Sequence, residues 1–213
     1  MSALPSFVHG TSATPLLYLT MGELLANAVS AHGEREALVV RHQNIRWSYQ
    51  DLNQQVDALA AGLLALGLVR GERIGIWSPN NAEWVVTQFA AARAGLVLVN
   101  INPAYRLSEL EYALNKVECA ALVTASAFKS SDYLTMLRTL APELSTAVPG
   151  ALAAAKLPHL RVVIAIDTAQ HAGFFRYADV PALAQDADRA ALVALAPLLQ
   201  PDDAANIQFT SGT

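Results

Sequence analysis

Charge and sulfur are both scarce in this 213-residue chain. Charged residues make up 15% and hydrophobic residues 54%, where globular proteins average about 25% charged. That balance excludes a disordered chain and leaves apolar surface that expects to be covered. Cys119 is the single cysteine, so no intrachain disulfide can form. It enters an apolar run and reads as a small buried hydrophobe. Fourteen basic residues against eighteen acidic give a net charge of −4. A nucleic-acid binder would show a basic face, and no nucleic-acid partner is expected. The first basic residue is Arg35, so neither a secretory signal nor an arginine-rich presequence is expected. No apolar run reaches the roughly 20 residues that span a bilayer. The longest uncharged stretch in the helical part, Ala58 to Val69, includes Gly62 and Gly67. The expectation is a cytoplasmic protein without a transmembrane segment. His9, His32, His42, His159 and His171 are scattered without metal-ligand spacing. Neither a G-x-G-x-x-G fingerprint nor a Walker lysine loop is present.

What is present is a regular alternation of elements. Residues 1–20, with Pro5 and Pro15, read as an extended arm. Helical spacing follows from Met21 to Ala31, and two strands flank a Gln43-Asn44 turn. Ser48 and Asp51 form a capping box for a helix whose apolar face is Leu52, Val56, Leu59, Ala60, Leu63 and Leu66. Gly67 suits the left-handed position that ends it. Strands are expected to start at 73, 96 and 120, with helices between them, one opened by Ser108 and Glu111. Strand–helix–strand units at that spacing require crossover connections and parallel pairing. The strands are apolar on both faces, as a sheet covered on both sides demands. A long helical region is expected from Ser130 to Lys156, interrupted by Pro142 and Pro149. Then come a strand over 161–166, a loop-rich stretch over 167–187, a helix over 188–195 and a short strand over 205–209. The fold class expected is α/β: one open, mostly parallel sheet with helices on both faces, occupying residues 21–213.

The chain stops inside Phe209-Thr210-Ser211-Gly212-Thr213. Hydroxyl and glycine residues directly after a strand can turn backbone N–H groups and hydroxyls toward an anion. Taken alone, such a turn is common on protein surfaces. Three segments in order change its meaning: Trp47-Ser48-Tyr49-Gln50-Asp51-Leu52, then Ala92-Arg93-Ala94-Gly95 with Asn102-Pro103 beyond it, then Phe209 to Thr213. Together they resemble successive core motifs of the AMP-forming adenylating superfamily. The stretches Ile76 to Asn81 and Asn100 to Arg106 look most like its fatty-acyl-CoA synthetase branch, and the resemblance runs from about His9 onward.

That resemblance implies an incomplete N-terminal part of the large adenylating domain, in an enzyme that activates a medium- or long-chain fatty acid with ATP and passes the acyl group to coenzyme A. It implies that Thr210, Ser211, Gly212 and Thr213 contact the ATP phosphates, with Mg2+ as companion ion. By the same resemblance Asn102 and Arg106 approach coenzyme A; the plain alternative is a turn residue and a solvated arginine. No catalytic or metal-binding residue can be assigned in this stretch, because the family's adenine, ribose and magnesium residues and its catalytic lysine lie downstream. The partners implied are a carboxylic acid and the missing C-terminal part of the same enzyme. Two other readings stand beside this one: a non-catalytic nucleotide-binding or interaction module, and part of a peptide-synthetase adenylation domain. The 213 residues alone are expected to form no acyl-CoA from ATP, a fatty acid and coenzyme A; a thioester assay showing product contradicts this.

Overall fold

Capping chemistry fixes where the first two helices begin. In a computed structural model that describes residues 17–210, helix α1 spans Met21–His32 and α2 spans Tyr49–Ala65. Thr20 and Ser48 accept the N–H groups of Glu23 and Asp51. The two carboxylates in turn accept the N–H groups of Thr20 and Ser48. Each reciprocal pair satisfies two backbone donors that a helix start would otherwise leave open. Between the helices, β1 (Glu36–Val40) and β2 (Ile45–Ser48) pair antiparallel. Their connection is one 3-10 turn over Arg41–Gln43, closed by Asn44 at φ 55°, a left-handed conformation that asparagine tolerates. Of the expected arm, residues 1–16 lie outside the described residues.

The chain then builds the central sheet. In order come β3 (Arg73–Trp77), α3 (Ala82–Arg93), β4 (Val97–Asn100), α4 (Leu107–Lys116) and β5 (Cys119–Ala125). A two-stranded hairpin of β6 (Ala127–Phe128) and β7 (Ser131–Asp132) leads into α5 (Tyr133–Leu140). The remainder is β8 (Val162–Ile166), β9 (Phe175–Arg176), α6 (Asp186–Leu195) and β10 (Asn206–Gln208). Six strands form one sheet in the order β10-β4-β3-β5-β8-β9, and every adjacent pair is parallel. Alternation along each strand splits the core in two. Ile74, Ile76, Leu98, Ala121, Val123 and Ile164 face the cluster that α2, α3 and α6 cover. Trp77, Val99, Leu122 and Val163 face the cluster that α4 and α5 cover. The expected α/β sheet with helices on both faces is therefore present.

Two local expectations fail. Helix α4 starts at Leu107, and it is Glu109, one turn in, that accepts the Arg106 N–H at 3.1 Å; the Ser108–Glu111 pair does not cap it. Between 130 and 156 the helical structure is confined to the short α5, which follows β7, and a 3-10 turn over Pro142–Ser145. A residue before proline is pushed out of the helical region, and Ala141 sits at φ −131°, ψ 74°. Beyond Pro149 the apolar residues Leu152, Leu157 and Leu160 reach the second core from irregular backbone. No helix among the described residues is long and apolar enough to cross a membrane.

Helix α2 lies close against the 3-10 segment Tyr177–Leu183, and Gly62 makes that approach possible. A Cβ on Gly62 would stand 2.4 Å from the Val180 carbonyl oxygen. In an open helix Gly→Ala stabilises by up to about 1 kcal/mol; here backbone overlap outweighs that gain. Gly62→Ala is expected to lower the unfolding free energy by about 1–3 kcal/mol in urea titration. An unchanged or raised midpoint would contradict this packing.

Candidate functional site

From β3 the chain passes through α3 to β4 on one side of it, then through α4 to β5 on the other side. The two crossovers lie on opposite faces of the sheet. Open parallel sheets bind ligands beyond the carboxyl ends of their strands. At this edge stand Ser78 after β3, Asn100 at the end of β4, Ser126 after β5, Asp167 after β8 and Thr210 after β10. The β10–β4 register ends with Gln208 opposite Asn100. Thr210 and Asn102 are thus each two residues beyond the last paired position, on neighbouring strands. Thr210 is exposed and lines an open groove of about 410 Å³ with Tyr105, Ser108, Glu109, Tyr112 and Phe209. Ser211, Gly212 and Thr213 lie outside the described residues.

The β4–α4 loop forms the other wall of that groove. Asn102 folds its side chain back, its Oδ1 accepting the Ala104 N–H at 2.9 Å, while its carbonyl accepts the Tyr105 N–H at 3.0 Å. Arg106 reaches away from the groove and donates to Ser131 Oγ at 2.6 Å. Here Asn102 closes a turn and Arg106 braces the β6–β7 hairpin. The structure brings their loop, though not their side chains, into the wall facing Thr210. Two residues of this edge escaped sequence reasoning. Asn100 donates weakly to Asn206 Oδ1 at 3.5 Å, and its own buried Oδ1 has no protein partner among the described residues. Tyr133 stacks on Trp77 and bonds the loop carbonyl of Pro103 at 2.5 Å. A tyrosine that packs with its hydroxyl out of water needs an acceptor, and that requirement was the one signal available for Tyr133.

Residues 25–213 match the family described as AMP-binding enzyme. The chain belongs to that family. The family's expected likeness, to adenylating ligases with acyl-CoA synthetases among them, holds for the relatives. Zebrafish medium-chain acyl-CoA ligase ACSF2, mitochondrial, is 45% identical over 208 residues, which cover 98% of this chain and 34% of that protein. The solved Mycobacterium smegmatis MbtA shares 26% identity at a TM-score of 0.69, over 92% of this chain and 32% of that one. An Archaeoglobus fulgidus long-chain-fatty-acid-CoA ligase (FadD1), 21% identical, shares the fold at a TM-score of 0.67, over 93% of this chain and 36% of that one. The chain spans about a third of the length of the relatives it matches. The zebrafish relative is named as mitochondrial, whereas cytoplasmic location is the expectation from the present sequence.

The titratable groups of this AMP-binding chain that depart furthest from ordinary values are structural. Cys119 is buried and its thiol is pushed up to about 12, chiefly by desolvation; it is a packing residue and no nucleophile. At the ends of β5 and β8, Asp167 accepts the Ala169 N–H at 3.0 Å, Ser126 Oγ at 2.7 Å and His171 Nε2 at 2.8 Å. Arg138 points its guanidinium at His171 Nδ1 at 3.4 Å, which fixes the proton on Nε2. The serine donates to the aspartate and not to the histidine, so no nucleophilic relay is assembled. Among the described residues no group of histidine, cysteine and carboxylate side chains could hold a metal ion.

Those three bonds, with the Ala169 N–H leading, hold the Asp167 carboxyl well below the usual carboxylate range. Because the folded value is depressed, the contribution is complete above about pH 4, the ordinary aspartate value, and is lost as the pH falls further. Asp167→Asn sets an amide donor against the Ser126 and His171 donors. It is expected to cost about 2 kcal/mol at pH 7, with the gap between wild type and variant narrowing below pH 4. A gap that stays constant with pH in thermal melts would contradict the assignment.

Proposed function

We propose that the protein containing this chain is an AMP-forming acyl-CoA synthetase acting on a fatty acid of medium chain length. The observation that carries this reading is 45% identity, across almost the whole chain, to a relative named as a medium-chain acyl-CoA ligase. The position of Thr210 just beyond β10, at the carboxyl edge of a parallel sheet, supports it. In this reading residues 21–213 form part of the adenylating domain and residues 1–20 an arm before it.

The reaction has two steps. A carboxylate is a poor acyl donor because its charge repels nucleophiles. Its oxygen attacks the α-phosphorus of ATP, pyrophosphate departs, and an acyl-adenylate forms. The coenzyme A thiol then gives up its proton and attacks the activated carbonyl carbon, and AMP leaves with the bonding electrons. The main burden on the protein is to hold two anions together and stabilise charge on the departing pyrophosphate. Thr210, Ser211, Gly212 and Thr213 would meet that charge with hydroxyls and backbone N–H groups. Asn102 and Arg106, on the neighbouring loop, are the residues proposed to border coenzyme A. Among the described residues no group of three or more histidine, cysteine or carboxylate side chains fits the companion Mg2+.

The test is direct. Full-length protein incubated with ATP, coenzyme A and fatty acids of graded length should release pyrophosphate and form acyl-CoA, with highest kcat/KM at medium chain length. Replacing Thr210 and Ser211 together by alanine should lower kcat/KM for ATP by about 100- to 1000-fold, the order found when anion-stabilising donors are removed. Absence of acyl-CoA with every acid tried would overturn the reading.

A further inference from the structure

The β4–α4 loop is gripped from two sides by one aromatic unit. Trp77 closes β3 and Tyr133 opens α5, and both side chains are fully buried. Their rings stack with centroids 3.6 Å apart and planes 12° apart. Each ring also directs its one polar hydrogen at the loop. Trp77 Nε1 donates to the carbonyl of Asn102 at 3.2 Å, and the Tyr133 hydroxyl donates to the carbonyl of Pro103 at 2.5 Å. Two consecutive loop carbonyls are therefore fixed by groups from elements far apart in sequence. Tyr133 is itself anchored, its N–H donating to the Ser126 carbonyl at 3.0 Å. The next loop residue but one, Tyr105, lines the groove with Phe209 and Thr210.

We propose that Trp77 and Tyr133 are a positioning pair for ATP binding, holding the β4–α4 loop so that Tyr105 buttresses the start of the phosphate turn at Phe209-Thr210. Packing alone would explain two buried aromatics in the second core. It does not explain why both donors converge on one loop rather than on their own elements. This inference rests on the acyl-CoA synthetase reading for the identity of the nucleotide, and on geometry alone for the hold on the loop.

Tyr133→Phe keeps the ring and the stack and removes only the bond to Pro103. One net hydrogen bond is worth about 1 kcal/mol, or roughly fivefold in an equilibrium. In the full-length protein, deuterium exchange over residues 101–106 should quicken about fivefold, with exchange in the other sheet strands unchanged. KM for ATP should rise about fivefold, while kcat stays within about twofold. Trp77→Phe, which removes the second donor, should move the same two readouts in the same direction. Unchanged exchange over 101–106, or uniformly faster exchange with an unmoved KM, would show a merely structural pair and overturn the proposal. A wild-type protein that forms no acyl-CoA would sink the proposed function instead; the exchange rates and ATP affinity by calorimetry, in wild type and Tyr133→Phe, then decide the positioning claim.

Discussion

The parallel pairing of β10 with β4 is the contact on which the site depends. It joins a strand near position 207 to one near position 98, across more than a hundred residues of intervening chain. Without it Thr210 and the loop over 101–106 would have no fixed relation. With it, both emerge from the same edge in the same direction, and a groove forms between them. The strand is short, and side chains before it strengthen its placement. Asp203 pairs with Arg70 at 2.8 Å, and Asp202 accepts the Tyr18 hydroxyl at 3.0 Å. Exposed pairs of this kind contribute little each; their use here is to set where the segment enters the sheet.

The rest of the sheet provides a rigid frame for that edge. Its central strands are buried on both faces, and the two cores pack different helices. Gly75 illustrates how closely the layers approach. A Cβ there would fall 2.9 Å from Leu122 Cδ1 and 3.0 Å from Ile101 Cδ1, so a side chain on β3 would press on the residue that starts the β4–α4 loop. Sites held on packed strands keep their geometry better than sites on free loops. The Asp167 network at the same edge ties the carboxyl ends of β5 and β8 together.

Much of this was legible in the residues. The reciprocal caps at Ser48 and Asp51, the left-handed Gly67 and the doubly apolar strands each follow from local chemistry, and each is present. The order of the strands was not legible, because runs such as Leu96–Val99 and Ala120–Val123 are interchangeable in hydropathy and only long-range packing arranges them. The helical region expected over 130–156, interrupted at Pro142 and Pro149, holds as far as Ser145 but fails beyond it, where burial of Leu152 and Leu157 imposes an irregular path. At the candidate site Thr210, Asn102 and Arg106 were expectations carried by the family resemblance. The bonds that occupy Asn102 and Arg106, and the convergence of Trp77 and Tyr133 on their loop, arise from residues distant in sequence and could not be read from it.

The central claim is that the carboxyl edge of β4 and β10 receives the phosphates of ATP. A crystal structure of the full-length protein with a non-hydrolysable ATP analogue tests it most directly. The account predicts β- and γ-phosphate oxygens within hydrogen-bond distance, about 3 Å, of the backbone and hydroxyls from Thr210 to Thr213, beside Tyr105. An analogue seated elsewhere, with that turn free of phosphate contacts, would contradict it.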